Sequence, residues 1–352
     1  MIRSSCGPYH RRVVQLRIVA PNSECRHVLQ LLEETETAFN IVHLPGVARK
    51  PEGDLVMCDV ARRDVSLLVA DLRELNVDVD GSIAIDEIDA EISGVADHAN
   101  RRRRDDVGSD PVVWENVSSR TSENVEVSHS FLFFMVASML IAAVGIYLDE
   151  PILMIGAMVV GPDFGPIAGF CVAVVNRNSK LARRSAGALL VGFPLGMLAT
   201  FLATLGFLAL GELPDTMDFD AQDLTRFISN PDIYAVYVAL LAGAVGMLSL
   251  TTAKSSVLVG VLISVATIPA AANVGVAAAY GEWSTVGGAA IQLGINLSSI
   301  FAAGLVTLMF QRRIYMRRRR DHLSESSRGK AGLPMGKSRR AGTDRDKEPE
   351  AT

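Results

Sequence analysis

The apolar positions of this 352-residue chain follow two different patterns. Within residues 13–90, short apolar stretches of strand or helix period alternate with polar turns, as in a small soluble domain. Residues 129–311 instead consist of long runs of Leu, Val, Ala and Gly. A helix needs about 20 such residues to cross a bilayer. The pattern therefore predicts a soluble front domain followed by a membrane domain.

The front domain, residues 1–92, is predicted to be an α+β fold of the ferredoxin-like type. Its predicted elements are a strand at residues 14–18, a helix after Pro21, strands at 39–44 and 55–60, a helix capped by Asp64, and a strand at 83–88. The order β-α-β-β-α-β is that of the ferredoxin-like motif.

Six apolar segments predict six transmembrane helices in the membrane domain. They fall at residues 131–148, 152–175, 187–210, 233–250, 257–279 and 286–310. Basic residues such as Arg177 and Lys254 follow the second and fourth segments. Acidic residues such as Asp149, Asp215 and Glu282 follow the first, third and fifth. By the positive-inside rule both termini should be cytosolic, in a multi-pass protein of the plasma membrane.

Two of these segments contain residues that interrupt a helix. The second contains Gly161-Pro162-Asp163-Phe164-Gly165-Pro166, and the fifth contains Pro269. Proline lacks the N–H group, so a carbonyl one turn earlier loses its helical partner. An unpaired backbone group in hydrocarbon costs several kcal/mol. We therefore expect helices two and five to be broken, around a polar pocket or closely packed protein, and the matching breaks predict an inverted 3+3 repeat.

Asp163 is the ionisable residue that the sequence places near the bilayer midplane. A carboxylate there costs about 2.5–3.5 kcal/mol on insertion scales, so it usually faces protein or a water-filled cavity. A proton or cation site and a cap of the following half-helix are the two alternatives. The further candidates for a substrate or ion pathway are Pro162, Gly165, Pro166, Pro269, Asn273, Gln292 and Asn296. Packing between helices is the alternative for the polar ones.

Polar segments flank the membrane domain. Residues 93–128 are predicted to be a linker, in which Trp114 belongs either to a short interfacial helix or to plain coil. Residues 312–352 are predicted to be a basic juxtamembrane cluster followed by a disordered tail. Arg317, Arg318, Arg319 and Arg320 are expected to contact anionic lipid headgroups, with a simple topology signal as the alternative.

The remaining composition narrows the chemistry. Four cysteines and six histidines are scattered without a CxxC pair, so we expect no metal and no cofactor. One membrane carboxylate does not form the pair that aspartyl catalysis needs, so we expect no enzyme and no catalytic residue. The N-terminal residues lack a signal peptide's apolar core, which favours a cytosolic front domain. Expected partners are the lipid bilayer, a small solute or proton, and a second copy of the chain, but no nucleic acid.

Several stretches resemble a prokaryotic membrane family. They are the run Gly156-Ala157-Met158 with Pro162, Gly165 and Pro166 after it, and residues 114–117, 141–145, 267–271 and 293–297. Over roughly residues 111–310 the chain is similar to the domain of unknown function 389 family, also called the uncharacterised hydrophobic domain. The resemblance implies a polytopic membrane protein without an agreed biochemistry. Many members carry an apolar residue at the position of Asp163.

Two functions follow from these observations. The first is a secondary transporter or permease, with a site where segments two and five break and with Asp163 coupling a proton or cation. The alternative is a membrane-anchored sensor, whose ferredoxin-like domain binds a cytosolic ligand.

Overall fold

The computed structural model describes residues 13–88, 114, 117, 121, 127–219, 232–252 and 256–338, with the backbone alone at 87 and 256–266. The chain forms two compact units. The first comprises Met1–Asn116 together with Arg313–Thr352, and the second is Val117–Arg312. The sequence predicted the end of the membrane domain at residue 311, and the second unit ends at Arg312. Most of the predicted linker lies outside the described residues.

The first unit contains a four-stranded antiparallel sheet. Its elements are β1 (Val13–Ala20), α1 (Cys25–Glu34), β2 (Ala38–Arg49), β3 (Glu52–Ala61), α2 (Val65–Glu74), α3 (Val77–Asp80) and β4 (Ser82–Ile88). The strand order across the sheet is β2-β3-β1-β4. The predicted order β-α-β-β-α-β is confirmed, with the one-turn helix α3 added before the last strand.

The core of this sheet follows the apolar periodicity of the sequence. Leu16 and Ile18 on β1 are fully buried, whereas Arg17 between them is exposed. They belong to one apolar cluster with Leu32 of α1 and Leu72 of α2. Burial of each such side chain contributes about 1.5–3 kcal/mol, which explains why the period-2 and period-3.6 patterns predicted these elements correctly.

Strand β2 is longer than predicted and irregular. The predicted strand ends at residue 44, but β2 continues through Pro45 and Gly46, residue types that are typical of turns, to Arg49. Its register with β3 shifts between Leu44 and Ala48. Gly46 lies there with φ +65°, a conformation that favours glycine. The turn residues thus form a bulge inside a strand.

The second unit consists of helices. They are α4 (His129–Leu148), α5 (Pro151–Val160), α6 (Phe164–Asn176), α7 (Ser179–Ala209), α8 (Ile233–Thr252), α9 (Ser256–Tyr280) and α10 (Trp283–His322). Helix α10 belongs to this unit as far as Arg312. Helices α4, α7, α8 and α10 are long and apolar enough to cross a membrane, and α5 with α6 would form a fifth, bent span. These apolar helices indicate a membrane location, and the count of six spans stays a prediction.

Local sequence signals set two of the helix starts. The Ser128 hydroxyl accepts a hydrogen bond from the N–H of Phe131 at 3.1 Å, which caps α4. The Asn178 side chain accepts from the N–H of Leu181 at 3.1 Å and caps α7. Ser and Asn are favoured at this position because they satisfy N–H groups that have no helical partner.

The predicted break in the second membrane helix is confirmed. Helix α5 ends at Val160, α6 begins at Phe164, and the two are bent by 50°. Gly161 has φ −61° and ψ 126°, which is extended backbone. A residue that precedes proline is disfavoured in the helical region, and glycine adds the entropy cost of ordering. Gly161 followed by Pro162 therefore ends α5.

The predicted break in the fifth membrane helix is wrong. Pro269 lies inside α9, which continues from Ser256 to Tyr280. Ile268 and Ala270, on either side of the proline, are buried in the apolar core, and that packing offsets one lost backbone hydrogen bond. Helix α7 likewise continues through Pro194. The inverted repeat stays a prediction, without a matching pair of breaks to support it.

Two glycines allow close approach between helices of this unit. A Cβ atom on Gly275 of α9 would lie 2.5 Å from the carbonyl oxygen of Met197 on α7. A Cβ atom on Gly243 of α8 would lie 2.5 Å from that of Ile300 on α10. Small residues at such contacts are what brings membrane helices together.

Residues 312–352 were predicted to be a basic juxtamembrane cluster followed by a disordered tail, and the structure describes them as far as residue 338. After α10 the short helix α11 (Ser326–Lys330) follows, and Ala331 and Leu333 are buried in the apolar core of the front domain. Residues 339–352 lie outside the described residues. The composition of the tail is polar, but its few apolar residues and its cations have partners in the front domain. Such partners cannot be read from a local sequence window.

Two buried carboxylates of α2 bind the cations of this segment. Asp71 accepts hydrogen bonds from Arg328 and, at 2.5 Å, from Arg319. Glu74 accepts from the same two arginines, at 2.7 Å each. The Nε2 atom of His322 lies 2.7 Å from Asp71. Arg328 is fully buried. The five side chains form an ion cluster inside the first unit.

The arginines expected to contact lipid headgroups are therefore not equivalent. Arg319 is buried in the ion cluster and is not available to a headgroup in this conformation. Arg318 lies 3.4 Å from Asp64, whose carboxylate makes no capping hydrogen bond to α2. Arg317 and Arg320 are exposed. Contact with anionic lipid stays a prediction for those two.

Candidate functional site

Asp163 occupies the break between α5 and α6 and is fully buried. It holds the N-cap position of α6, where its backbone carbonyl accepts from the N–H of Ile167 at 3.2 Å. Its side chain makes no capping hydrogen bond. The capping alternative therefore describes the backbone position of Asp163 and not what its carboxylate does.

The carboxylate of Asp163 instead reaches a second helix. The hydroxyl of Thr267, on α9, donates a hydrogen bond to its Oδ2 atom. Thr267 is fully buried as well and lies two residues before Pro269. A hydrogen bond to a charged group contributes about 1.5–3 kcal/mol. Segments two and five of the sequence thus meet at a polar contact, although only one of them is broken.

Most other buried hydroxyl groups of this unit bond within their own helix. Thr200 donates to the carbonyl of Met197, and Ser185 donates to the carbonyl of Leu181. Such bonds satisfy a buried hydroxyl without involving another helix. The Thr267 hydroxyl differs because it donates to a carboxylate on another helix.

The helix-breaking residues around Asp163 have separate roles. Pro162 lacks an N–H group, so the carbonyl of Met158 has no donor one turn later. Pro166 is the third residue of α6, where a missing N–H removes no helical bond. Gly165 lies between them, partly buried. The break therefore leaves the Met158 carbonyl without its helical donor, and a carbonyl oxygen is a ligand that a hard cation or a water molecule takes.

The remaining predicted site residues are buried on α9 and α10. Asn273 is fully buried, six residues after Thr267 on the same helix. On α10 the Gln292 amide lies 3.4 Å from the Asn296 side-chain oxygen. The Oε1 atom of Gln292 has no hydrogen-bond partner among the described residues. Gln292 and Asn296 therefore form a second polar position, and helix packing stays an alternative for both.

The sequence missed Thr267 as a site residue. A threonine in an apolar segment is common, and a hydroxyl normally bonds to its own helix. The one local signal is its place in Thr267-Ile268-Pro269, where a polar side chain lies just before a residue that weakens the helix. Thr267 is recognised as a site residue only through its contact with Asp163, 104 positions away.

Chemically, this arrangement can hold a proton or a small cation. A carboxylate in apolar surroundings is stable only when it is protonated, hydrogen-bonded or paired with a cation. Thr267 supplies one donor, and the break leaves one carbonyl oxygen, that of Met158, without its helical donor. The predicted site residues thus fall into two groups, one around Asp163 and the other formed by Gln292 and Asn296 on α10.

Comparison with known proteins supports the family resemblance. Residues 158–302 match the model of a Domain of unknown function (DUF389), which is the region that contains Asp163, Thr267 and Gln292. An uncharacterized protein of Methanocaldococcus jannaschii is 27% identical over 195 residues, which are 55% of this chain. The match spans 58% of that protein's length. No solved structure matches the chain. The helical region is therefore similar to a membrane family of unknown function.

Proposed function

We propose that the membrane unit is a secondary transporter or permease whose ion or proton site is Asp163. The observation that supports this is the contact between a fully buried carboxylate at a helix break and the hydroxyl of Thr267 on another apolar helix. Ionisable residues inside membrane helices are costly, so they are retained mainly where function needs them. Broken helices near the midplane form the sites of many transporters.

We infer that six helical spans carry this site. The spans would be α4, the bent pair α5 and α6, α7, α8, α9 and α10. With basic loops on one side, both termini would lie in the cytosol, and the protein would belong to the plasma membrane. Two halves of three spans would insert with opposite orientation, as in an inverted repeat. The support is the loop charge pattern and the length of α9, 25 residues.

Proton coupling provides a direct test of the site. The full chain is reconstituted into liposomes that contain the pH dye pyranine, and a proton gradient is imposed. Organic acids, amino acids, sugars and monovalent cations are then added one class at a time. We expect one class to accelerate dissipation of the gradient in the wild type and Asp163→Asn to abolish that acceleration, because the amide cannot release a proton.

The matched control is Thr200→Val, which removes a fully buried hydroxyl that bonds within its own helix. It should leave the coupled flux unchanged. If a solute is taken up equally by wild type and Asp163→Asn, Asp163 is not the coupling residue. If no class changes the gradient in the wild type, the permease proposal is wrong for protons and these solutes.

A sensor is the second candidate, and one observation favours it. Helix α10 begins as an apolar helix, and its residues from Arg313 onward belong to the front-domain unit. Ligand binding on the front domain could therefore act on a membrane helix through the chain itself. Ligand-induced thermal stabilisation of the full chain, with no coupled flux in the liposome experiment, would favour the sensor hypothesis over the permease.

A further inference from the structure

Three side chains of the front domain that are far apart in sequence converge on one point. Cys25 is the first residue of α1, His43 lies on β2, and Asp54 lies on β3. The Nε2 atom of His43 is 3.5 Å from the Sγ atom of Cys25 and 2.8 Å from an oxygen of Asp54. All three donor atoms lie within 4.8 Å of one another.

Two features of the backbone bring these residues together. Gly53, just before Asp54, has no room for a Cβ atom, which would collide with the carbonyl of Ala20 at the end of β1. This close approach brings the start of β3 beside the start of α1. The bulge in β2 places the N–H of Gly46 2.8 Å from the second oxygen of Asp54. The carboxylate is therefore oriented by the backbone, as the ligands of metal centres usually are.

The same geometry excludes a nucleophilic triad. In a Cys-His-Asp triad the thiol and the carboxylate contact different nitrogens of the imidazole, so that the ring passes a proton between them. Here Cys25 and Asp54 both contact Nε2 of His43. One nitrogen carries at most one proton and cannot relay it. Donor atoms that face a common centre suit a shared cation instead.

The distances fit a small transition metal. Zinc binds sulfur at about 2.3 Å and imidazole nitrogen at about 2.0–2.1 Å, so tetrahedral donors lie about 3.5 Å apart. The Sγ to Nε2 distance already has this value. The Nε2 to carboxylate distance has to open by roughly half an ångström on that geometry. The His43 side chain is 34% exposed and has room for this movement.

The point between the three side chains is accessible from one side. Cys25 is buried, whereas the Asp54 side chain is 15% exposed and that of His43 more so. Metal sites with three protein ligands keep a fourth position for water or another ligand. A thiol, an imidazole and a carboxylate together favour a borderline-soft cation such as Zn²⁺ over Mg²⁺ or Ca²⁺, which take oxygen ligands only.

We propose that Cys25, His43 and Asp54 bind one divalent transition-metal ion of the Zn²⁺ class, with an open fourth position. Binding forms a metal–sulfur bond and releases the thiol proton of Cys25 to solvent, so no oxidant or reductant is involved. The proposal is independent of the permease site, since it concerns the front domain alone. It would give the sensor alternative a ligand of defined chemistry.

The test uses the full chain, purified in detergent without a polyhistidine tag and stripped of metal with a chelator. Co²⁺ is titrated as the probe, because a thiolate ligand adds a sulfur-to-cobalt charge-transfer band in the near ultraviolet. We expect one Co²⁺ per chain, the charge-transfer band, and loss of the band when Zn²⁺ is added. Cys25→Ser should abolish the band, and His43→Gln and Asp54→Asn should weaken binding at least about 10–100-fold.

Two matched controls come from the same domain. Cys58→Ser changes a buried cysteine of β3 outside the cluster, and His27→Gln changes a histidine that contacts Glu24 instead. Both should bind Co²⁺ as the wild type does. Because the side chain of His43 is partly exposed, His43→Gln should keep the fold, which far-ultraviolet circular dichroism checks. Absence of the band in the wild type, or a band that survives Cys25→Ser, overturns the proposal.

Discussion

The hydroxyl of Thr267 donates a hydrogen bond to the carboxylate of Asp163 and so connects α9 to the break between α5 and α6. Both residues are fully buried. Buried hydroxyls that bond to their own helix carbonyl can be lost at little cost, whereas a carboxylate without its donor remains desolvated. This difference makes the pair the most direct point at which to test the membrane unit.

Thr267→Val should destabilise the membrane unit by about 1.5–3 kcal/mol, because the isosteric change removes a donor to a charged group. Thr200→Val makes the same change at an equally buried position and should cost less than about 1 kcal/mol, since only an intrahelical bond is lost. Thermal unfolding in detergent measures both. In the Asp163→Asn background the cost of Thr267→Val should fall, and equal costs in the two backgrounds would contradict direct coupling.

Asp163→Cys, in a background without other cysteines, should react with a membrane-impermeant thiol reagent in liposomes. A permease must open its site to water in at least one state, although Asp163 is closed off in this conformation. Met154→Cys on α5 is the control, because that side chain is buried in the apolar core of the same bent pair and should stay unreactive. Equal and negligible labelling at both positions would indicate that the site is never hydrated.

Asp71→Asn should destabilise the front-domain unit by about 3–5 kcal/mol, because it leaves the buried Arg328 with less compensating charge. Glu34→Gln is the control: Glu34 contacts Lys330 at 2.7 Å, but both side chains are exposed, so the loss should stay below about 1 kcal/mol. Urea unfolding measured by the fluorescence of Trp114 reports on this unit, in a Trp283→Phe background. Similar losses for the two variants would show that the ion cluster contributes no more than a surface pair.

The tail contact should depend on pH through His322. Burial alone lowers the pKa of His322, but hydrogen bonds and charge from Asp71 and Glu325 outweigh burial and raise it from 6.5 to about 9. A raised pKa means that the stabilisation is fully present below 6.5 and is lost as pH rises through about 9.

The expected size of this effect is about 3 kcal/mol at most, from the shift in pKa. Wild type should therefore unfold at lower urea near about pH 10 than near about pH 6, and His322→Gln should reduce that difference. Trp114 fluorescence again follows the unfolding. An unchanged pH dependence in His322→Gln would show that His322 is not its source.

Local patterns predicted the elements of both units well. Burial of apolar side chains stabilises a strand or helix whose apolar residues recur with the matching period, and that period is visible in the sequence. The alternation of Leu16 and Ile18 with polar residues predicted β1, and the Gly161-Pro162 pair predicted the end of α5. Pro269 shows where the same reasoning was insufficient. A proline weakens a helix by a known amount, but the packing of Ile268 and Ala270 that offsets this cost belongs to the whole unit.

The candidate sites were predicted less completely than the elements. Asp163 was found because a carboxylate in an apolar segment is unusual by itself. Thr267 was not, because an isolated threonine in such a segment is ordinary. Cys25, His43 and Asp54 have no recognisable spacing, because 18 and 11 residues separate them along the chain. They come together only because β2 pairs with β3 and α1 begins beside them.

By itself the sequence determined the strands and helices of the front domain, the apolar helices and the break beside Asp163. Each of these depends on interactions between residues that are close along the chain, or on transfer from water to an apolar phase. Only the tertiary structure decided that α9 continues through Pro269, that Arg328 and the C-terminal segment belong to the front-domain unit, and which side chain meets Asp163. Those outcomes depend on contacts between distant residues, whose energies no local window of sequence contains.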